Sequence, residues 1–188
     1  MDLILVTAIV LILGTVLTYG GFGSFPPIIY TGKDMQEKLT LLAAQPRRWT
    51  LSQYLVILGG LVSAAGTVLL VFLFRGSRGF LPAWIGAAGF VLGHVFWIWI
   101  VILRIVKPQR QATGEFPGWL FPSFSFLAQL GLAGFGAAFC LQGVHPVLGI
   151  GIIAGSVLVF ILFLKTKGMP PFVYYLMTLI IGVALVFS

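Results

Sequence analysis

His94 is the residue that most invites chemistry. It lies in the run GFVLGHVFWIWI, an imidazole among aliphatic and aromatic neighbours. An ionisable side chain inside a membrane-length apolar stretch marks a functional position by default. Gln129, Ser63, Ser156 and Thr178 are the other polar groups falling near the centres of apolar runs. An imidazole, a carboxamide and three hydroxyls at one depth can do three things. They can bond one another and hold helices together, line a pocket or pore for a small polar solute, or hold a ligand. Trp97 and Trp99, two positions apart, are candidate pocket aromatics. Haem bound through His94 is the weakest reading. The other histidine, His145, stands at the end of its run, roughly 15 Å or more from the level of His94 at a rise of about 1.5 Å per residue, too far to share one iron. No cofactor is expected.

The missing chemistry is as informative. The four acids are Asp2, Asp34, Glu37 and Glu115, all terminal or between apolar runs, and no lysine sits well inside a run. Proton-coupled pumps and cation exchangers use an intramembrane ionisable group to carry the coupling charge, and a retinal protein needs an interior lysine. HExxH is absent, as are clustered carboxylates and CxxC, and the single cysteine is Cys140. The expectation is a non-enzymatic protein that binds, supports or scaffolds others within the bilayer. The alternative is a carrier or channel for a neutral or weakly charged solute through a midplane pocket around His94 and Gln129.

The elements that must position these groups follow from composition. Of 188 residues, 60% are hydrophobic and only 8% charged, where a soluble domain carries about 25% charged residues. The mean hydropathy is +1.11. A membrane helix needs about 20 mainly apolar residues. Such runs occupy 3–22, 51–74, 82–106, 118–142, 146–164 and 171–188. They are solidly apolar rather than alternating, which excludes a lipid-facing barrel. The first lacks a basic flank, since Asp2 precedes it, and reads as a retained helix. The expected fold is an all-α integral membrane protein: one bundle of six transmembrane helices with a short amphipathic interfacial helix after the first.

Charge orients the bundle. Eleven basic residues against four acidic give a net charge of +7. In a protein this apolar the excess belongs to cytoplasmic loops rather than to nucleic acid. With six spans, one side holds Lys33, Lys38, Arg47, Arg48, Arg104, Lys107, Arg110, Lys165 and Lys167, and the other only Arg75 and Arg78. The first side should be the cytoplasmic face of the inner membrane, carrying loops 23–50, 107–117 and 165–170. Both termini then lie outside.

The segment 32–44 reads as the interfacial helix. Thr31 followed by Asp34 resembles a capping box, Met35, Leu39 and Leu42 form one apolar stripe, and Pro46 ends the segment. The loop KPQRQATGEFPG looks irregular and exposed. Trp49, Tyr54, Trp84 and Trp119 stand at span starts, the headgroup level that amphipathic rings favour. Glycines at GxxxG spacing, Gly89 with Gly93 and Gly151 with Gly155, suit close helix packing. The partners implied are the lipid bilayer and, through glycine-rich faces, other membrane proteins or a second copy. His94 is expected to be neutral and bonded to Gln129 or Ser156.

Overall fold

The structure, a computed structural model, describes residues 2–143, 145–166 and 172–187. Among the described residues the chain is helical, with no strand. Five helices are long and apolar: α1 (Leu3–Gly23), α4 (Pro46–Leu73), α5 (Phe80–Val106), α7 (Leu120–Gln142) and α8 (Pro146–Thr166). By length and composition each can cross a bilayer. Three short helices, α2 (Ile28–Thr31), α3 (Met35–Ala44) and α6 (Gln109–Thr113), lie between them, and α9 (Phe172–Val186) comes last. The chain is therefore a helical membrane protein. The run 171–188 is represented by α9, whose 15 residues reach about 22 Å at 1.5 Å per residue. Residues 167–171 and 188 lie outside the described residues, and with them Lys167 and most of the loop 165–170.

Local signals set the helix starts. The Asp2 carboxylate accepts the Ile4 N–H at 3.0 Å and caps α1. Pro46 opens α4, where a missing N–H costs nothing. The helix therefore starts at 46 rather than at the apolar boundary near 51. Asp34 caps α3, accepting from Gln36 N at 2.8 Å and Glu37 N at 3.3 Å. This corrects the capping box at Thr31, which instead ends α2 and donates back to the Pro27 carbonyl at 3.1 Å. A capping box needs the longer reach of Glu or Gln at its far end. The segment 107–117 is also more ordered than its composition suggests. Pro108 leads into α6, and Gly114, at φ +73, ends it in the left-handed region.

Helices adjacent in sequence are adjacent in space: α1 packs on α4, α4 on α5, α5 on α7 and α7 on α8. α9 returns to lie against α1. Two seams are built from small residues. On α1, an added Cβ at Gly14 would collide with Ser63, and one at Gly21 would meet the Ser52 carbonyl at 2.8 Å. On α5 and α7, Gly86, Gly89 and Gly93 face Gly131, Gly134 and Ala128. Without a hydrophobic force between helices in lipid, such close backbone approach is what holds them. The glycine-rich faces of α5 and α7 are thus packed against each other inside the bundle. Gly151, with nothing near its missing Cβ, remains open.

The two ends of the bundle are distinct. At one end Ile4, Phe74, Phe139 and Leu185 share a core cluster, so the starts and finishes of α1, α4, α7 and α9 that neighbour Arg75 and Arg78 lie together. At the other, Phe25, Ile29, Leu42 and Trp49 pack with Ala112. The two basic segments 23–50 and 107–117 therefore share one face, opposite the segment bearing Arg75 and Arg78.

Candidate functional site

The middle of the bundle holds the polar residues singled out in the sequence, but they divide into separate settings. His94, one position past the middle of α5, is buried and faces α9. Its Nδ1 lies 2.8 Å from the Phe90 carbonyl and its Nε2 lies 3.0 Å from Tyr175 Oη. A carbonyl can only accept, so Nδ1 carries the hydrogen. In the neutral ring Nε2 is then an acceptor, and Tyr175 donates to it. Phe90, at 4.2 Å between ring centroids, and Phe124, at 5.9 Å, complete the surroundings. The expected bond from His94 to Gln129 or Ser156 is corrected: Tyr175 holds that place. Equal depth along two helices does not fix their rotation, and the imidazole points toward α9 rather than α8.

The other groups fall as follows. Thr178 donates to the Tyr175 carbonyl at 2.8 Å, and its Oγ1 lies 3.1 Å from that of Thr15 on α1. Ser63 sits in the α1–α4 seam beneath Gly14, where a small side chain is what matters, and its hydroxyl has no partner. Trp97 is fully buried and stacks on Phe124 at 5.1 Å. Trp99 is 47% exposed and meets Trp119 edge-on at 5.6 Å. The pair therefore does not wall one pocket, because a two-residue step turns a helix through about 200°. Trp49 is buried inside the bundle end, and its Nε1 donates to the Arg104 carbonyl at 3.0 Å. In the α3 stripe, Leu42 is buried against Phe25, Ile29 and Trp49, Leu39 is half-buried, and Met35 is 50% exposed.

Gln129 and Ser156 do come together. Ser156 is the middle residue of α8, and both side chains line a shallow groove of about 170 Å³ between α7 and α8. Phe126, Leu130, Ala133, Val157 and Phe160 supply the rest of its lining. Gln129 is 5% exposed and Ser156 2%. Both amide atoms of Gln129 and the Ser156 hydroxyl lack a hydrogen-bond partner. Tyr174, next to Gln129 in space, gives its proton to Ser125 at 2.8 Å, and the carboxamide stays outside bonding geometry. A buried polar group left unpaired costs about 1–3 kcal/mol, and hydrocarbon cannot supply the missing partner. His94 does not line this groove, so the midplane pocket expected around His94 and Gln129 is corrected to a groove around Gln129 and Ser156.

Two participants were not singled out from the sequence. Tyr175, within FVYY, carried the signal of a hydroxyl one turn before Thr178. The other is Arg104, counted only as a cytoplasmic charge. It is 8% exposed, with Nε and Nη1 buried and unpaired. Its guanidinium carbon lies 5.0 Å from the Trp97 ring centroid and 5.7 Å from that of Phe116. Above it, Gln53 Nε2 donates to Tyr30 Oη at 3.3 Å. Burial raises the Tyr30 hydroxyl above its ordinary range, against the pull of Arg104, so Tyr30 stays neutral at pH 7.

These contacts make a testable division. The variants His94→Leu and Tyr175→Phe should be non-additive, with a coupling of about 0.5–2 kcal/mol, because they share one interaction. His94→Leu and Gln129→Leu should add within about 0.5 kcal/mol. Reversible unfolding of the three single and two double variants in bicelles measures both, and coupling confined to the His94–Gln129 pair would reject the assignment.

For chemistry, the described residues bring no three His, Cys, Asp or Glu side chains together. What the site offers is unpaired hydrogen-bonding capacity beneath an apolar groove. The chain matches no family model, no curated protein and no solved structure.

Proposed function

We propose that the protein is a non-enzymatic binding subunit of the inner membrane. In this reading α9 is the sixth span, both termini lie outside, and α3 rests on the cytoplasmic surface with Met35 toward lipid and Lys33 and Lys38 toward headgroups. The groove between α7 and α8 seats a transmembrane helix of a partner protein, one that carries a polar side chain at mid-depth.

The observation that carries this reading is the set of three unpaired polar atoms, on Gln129 and Ser156, beneath an apolar groove on the outer face of the bundle. Lipid tails would leave them unpaired. A polar side chain from a neighbouring helix would satisfy them, as Gln and Ser commonly do across membrane helices. Phe126 and Val157, each about half-exposed on the rim, supply the apolar contact. His94 and Tyr175 are already paired with each other, and Thr178 with the Tyr175 carbonyl, inside the bundle, so they do not compete for this role.

The experiment is photo-crosslinking in native membranes. A benzophenone side chain at Val157 should give a discrete adduct with a second protein. Gln129→Leu combined with Ser156→Ala should reduce its yield by about tenfold, the loss expected for one or two buried bonds. The same probe at Leu92, exposed on α5, should give lipid adducts alone. Lipid adducts alone from Val157, an adduct only with a second copy, or a protein adduct indifferent to the Gln129 and Ser156 changes would overturn the proposal.

A further inference from the structure

Arg104 poses a separate question of charge. A guanidinium is cationic at any physiological pH, and a buried charge is normally paired. Arg104 is more than nine-tenths buried, yet two of its nitrogens, Nε and Nη1, have no acceptor. The acids do not supply one: Asp2, Asp34, Glu37 and Glu115 are all exposed, and Asp34 is engaged in capping α3. The phenol of Tyr30 is neutral and is no counter-ion. Trp97 and Phe116 stabilise the cation through their ring faces, but a ring does not replace an oxygen acceptor for the N–H groups.

We propose that Arg104 is the anchor of a phosphate-binding site beside Trp97 and Phe116 at the basic end of the bundle. The inference is independent of the α7–α8 groove. A phosphate has several acceptor oxygens and can take hydrogen bonds from more than one guanidinium nitrogen, the pairing at which arginine excels. Tyr30 Oη accepts from Gln53 and keeps its own proton to give. Arg110 follows Arg104 in sequence and makes the approach positive. Arg104 lies in the last turn of α5, the level at which phosphodiesters of lipid headgroups stand in the membrane reading. The same chemistry would also recognise a phosphate dissolved in the cytoplasm.

The test uses the whole chain in phosphatidylcholine nanodiscs freed of anionic lipid. One arm adds dioleoylphosphatidylglycerol to the bilayer, and the other adds inorganic phosphate to the buffer. The wild type should bind one equivalent in one arm, which names the source, with a saturable rise in its unfolding temperature. Arg104→Gln should weaken that binding by about tenfold or more, the scale of hydrogen bonds to a charged group. Lys107→Gln, at an exposed position, should change it by less than about twofold. The wild-type titration stands by itself should Arg104→Gln not fold: saturable one-to-one binding supports the site, and failure of both anions to bind overturns it. Equal affinity in a folded Arg104→Gln, or an equal loss in Lys107→Gln, also overturns it.

Discussion

Replacing Gly131 with leucine should all but abolish the folded bundle. A Cβ at this position would stand 2.6 Å from the Phe90 backbone nitrogen, 2.8 Å from the Gly86 carbonyl oxygen and 3.0 Å from Phe90 Cα. These neighbours are backbone atoms of a regular helix, so no rotamer change relieves the clash. α7 must move off α5, and the close approach along Gly86, Gly89, Gly93 and Gly134 goes with it. Overpacking a well-filled site costs about 1–3 kcal/mol and occasionally more. Here the loss should exceed about 3 kcal/mol, because the contact is backbone to backbone. Gly151→Leu is the control, since nothing lies within 4 Å of its missing Cβ, and it should change stability by less than about 0.5 kcal/mol. Unfolding in bicelles measures both, and similar stabilities for the two variants would contradict the seam.

The second large effect is expected at Trp49. The carbonyl of Arg104 would ordinarily accept the N–H of the residue four places on, but that residue is Pro108, which has none. The indole Nε1 of Trp49 fills the vacancy at 3.0 Å. Its ring also packs against Phe25 at 5.2 Å and Tyr30 at 6.2 Å, joining α4, α5 and the short helices at one end. Trp49→Ala should cost about 3–5 kcal/mol, as large aromatic truncations in cores do. Trp49→Phe should cost less, about 1–3 kcal/mol for the carbonyl left unpaired. The same unfolding experiment separates them. If the phenylalanine variant lost as much as the alanine one, the indole bond rather than the packing would dominate the site.

Much of the architecture was legible because it rests on chain-wide signals. The apolar runs and the scarcity of charge mark the long helices within a few residues. The basic residues of 23–50 and 107–117 fall on one end of the bundle, opposite Arg75 and Arg78, as their spacing between apolar runs implies. Depth was legible too: His94, Gln129 and Ser156 all lie near the middles of their helices. Rotation was not. An imidazole at the right depth can face any neighbour, and only the packed arrangement turns His94 toward Tyr175 and Gln129 toward Ser156. Depth counting also misled for α9. Centring it on 171–188 places Tyr175 toward the membrane edge, whereas the hydroxyl reaches the level of His94. Arg104 escaped notice for a related reason. A basic residue at the end of an apolar run reads as a solvated loop charge, and its burial depends on a cover supplied by distant segments.

The reading of a subunit working within the bilayer depends on where the two ends of the bundle lie, and labelling of intact cells tests this most directly. In a Cys140→Ser background, one variant carries a cysteine at Gln109, in the basic segment, and another carries one appended after Ser188. With a membrane-impermeant maleimide, the appended cysteine should be modified in intact cells, and the cysteine at Gln109 only after lysis. Modification of Gln109→Cys in intact cells, or the same behaviour at both positions, would contradict the six-span orientation on which the account rests.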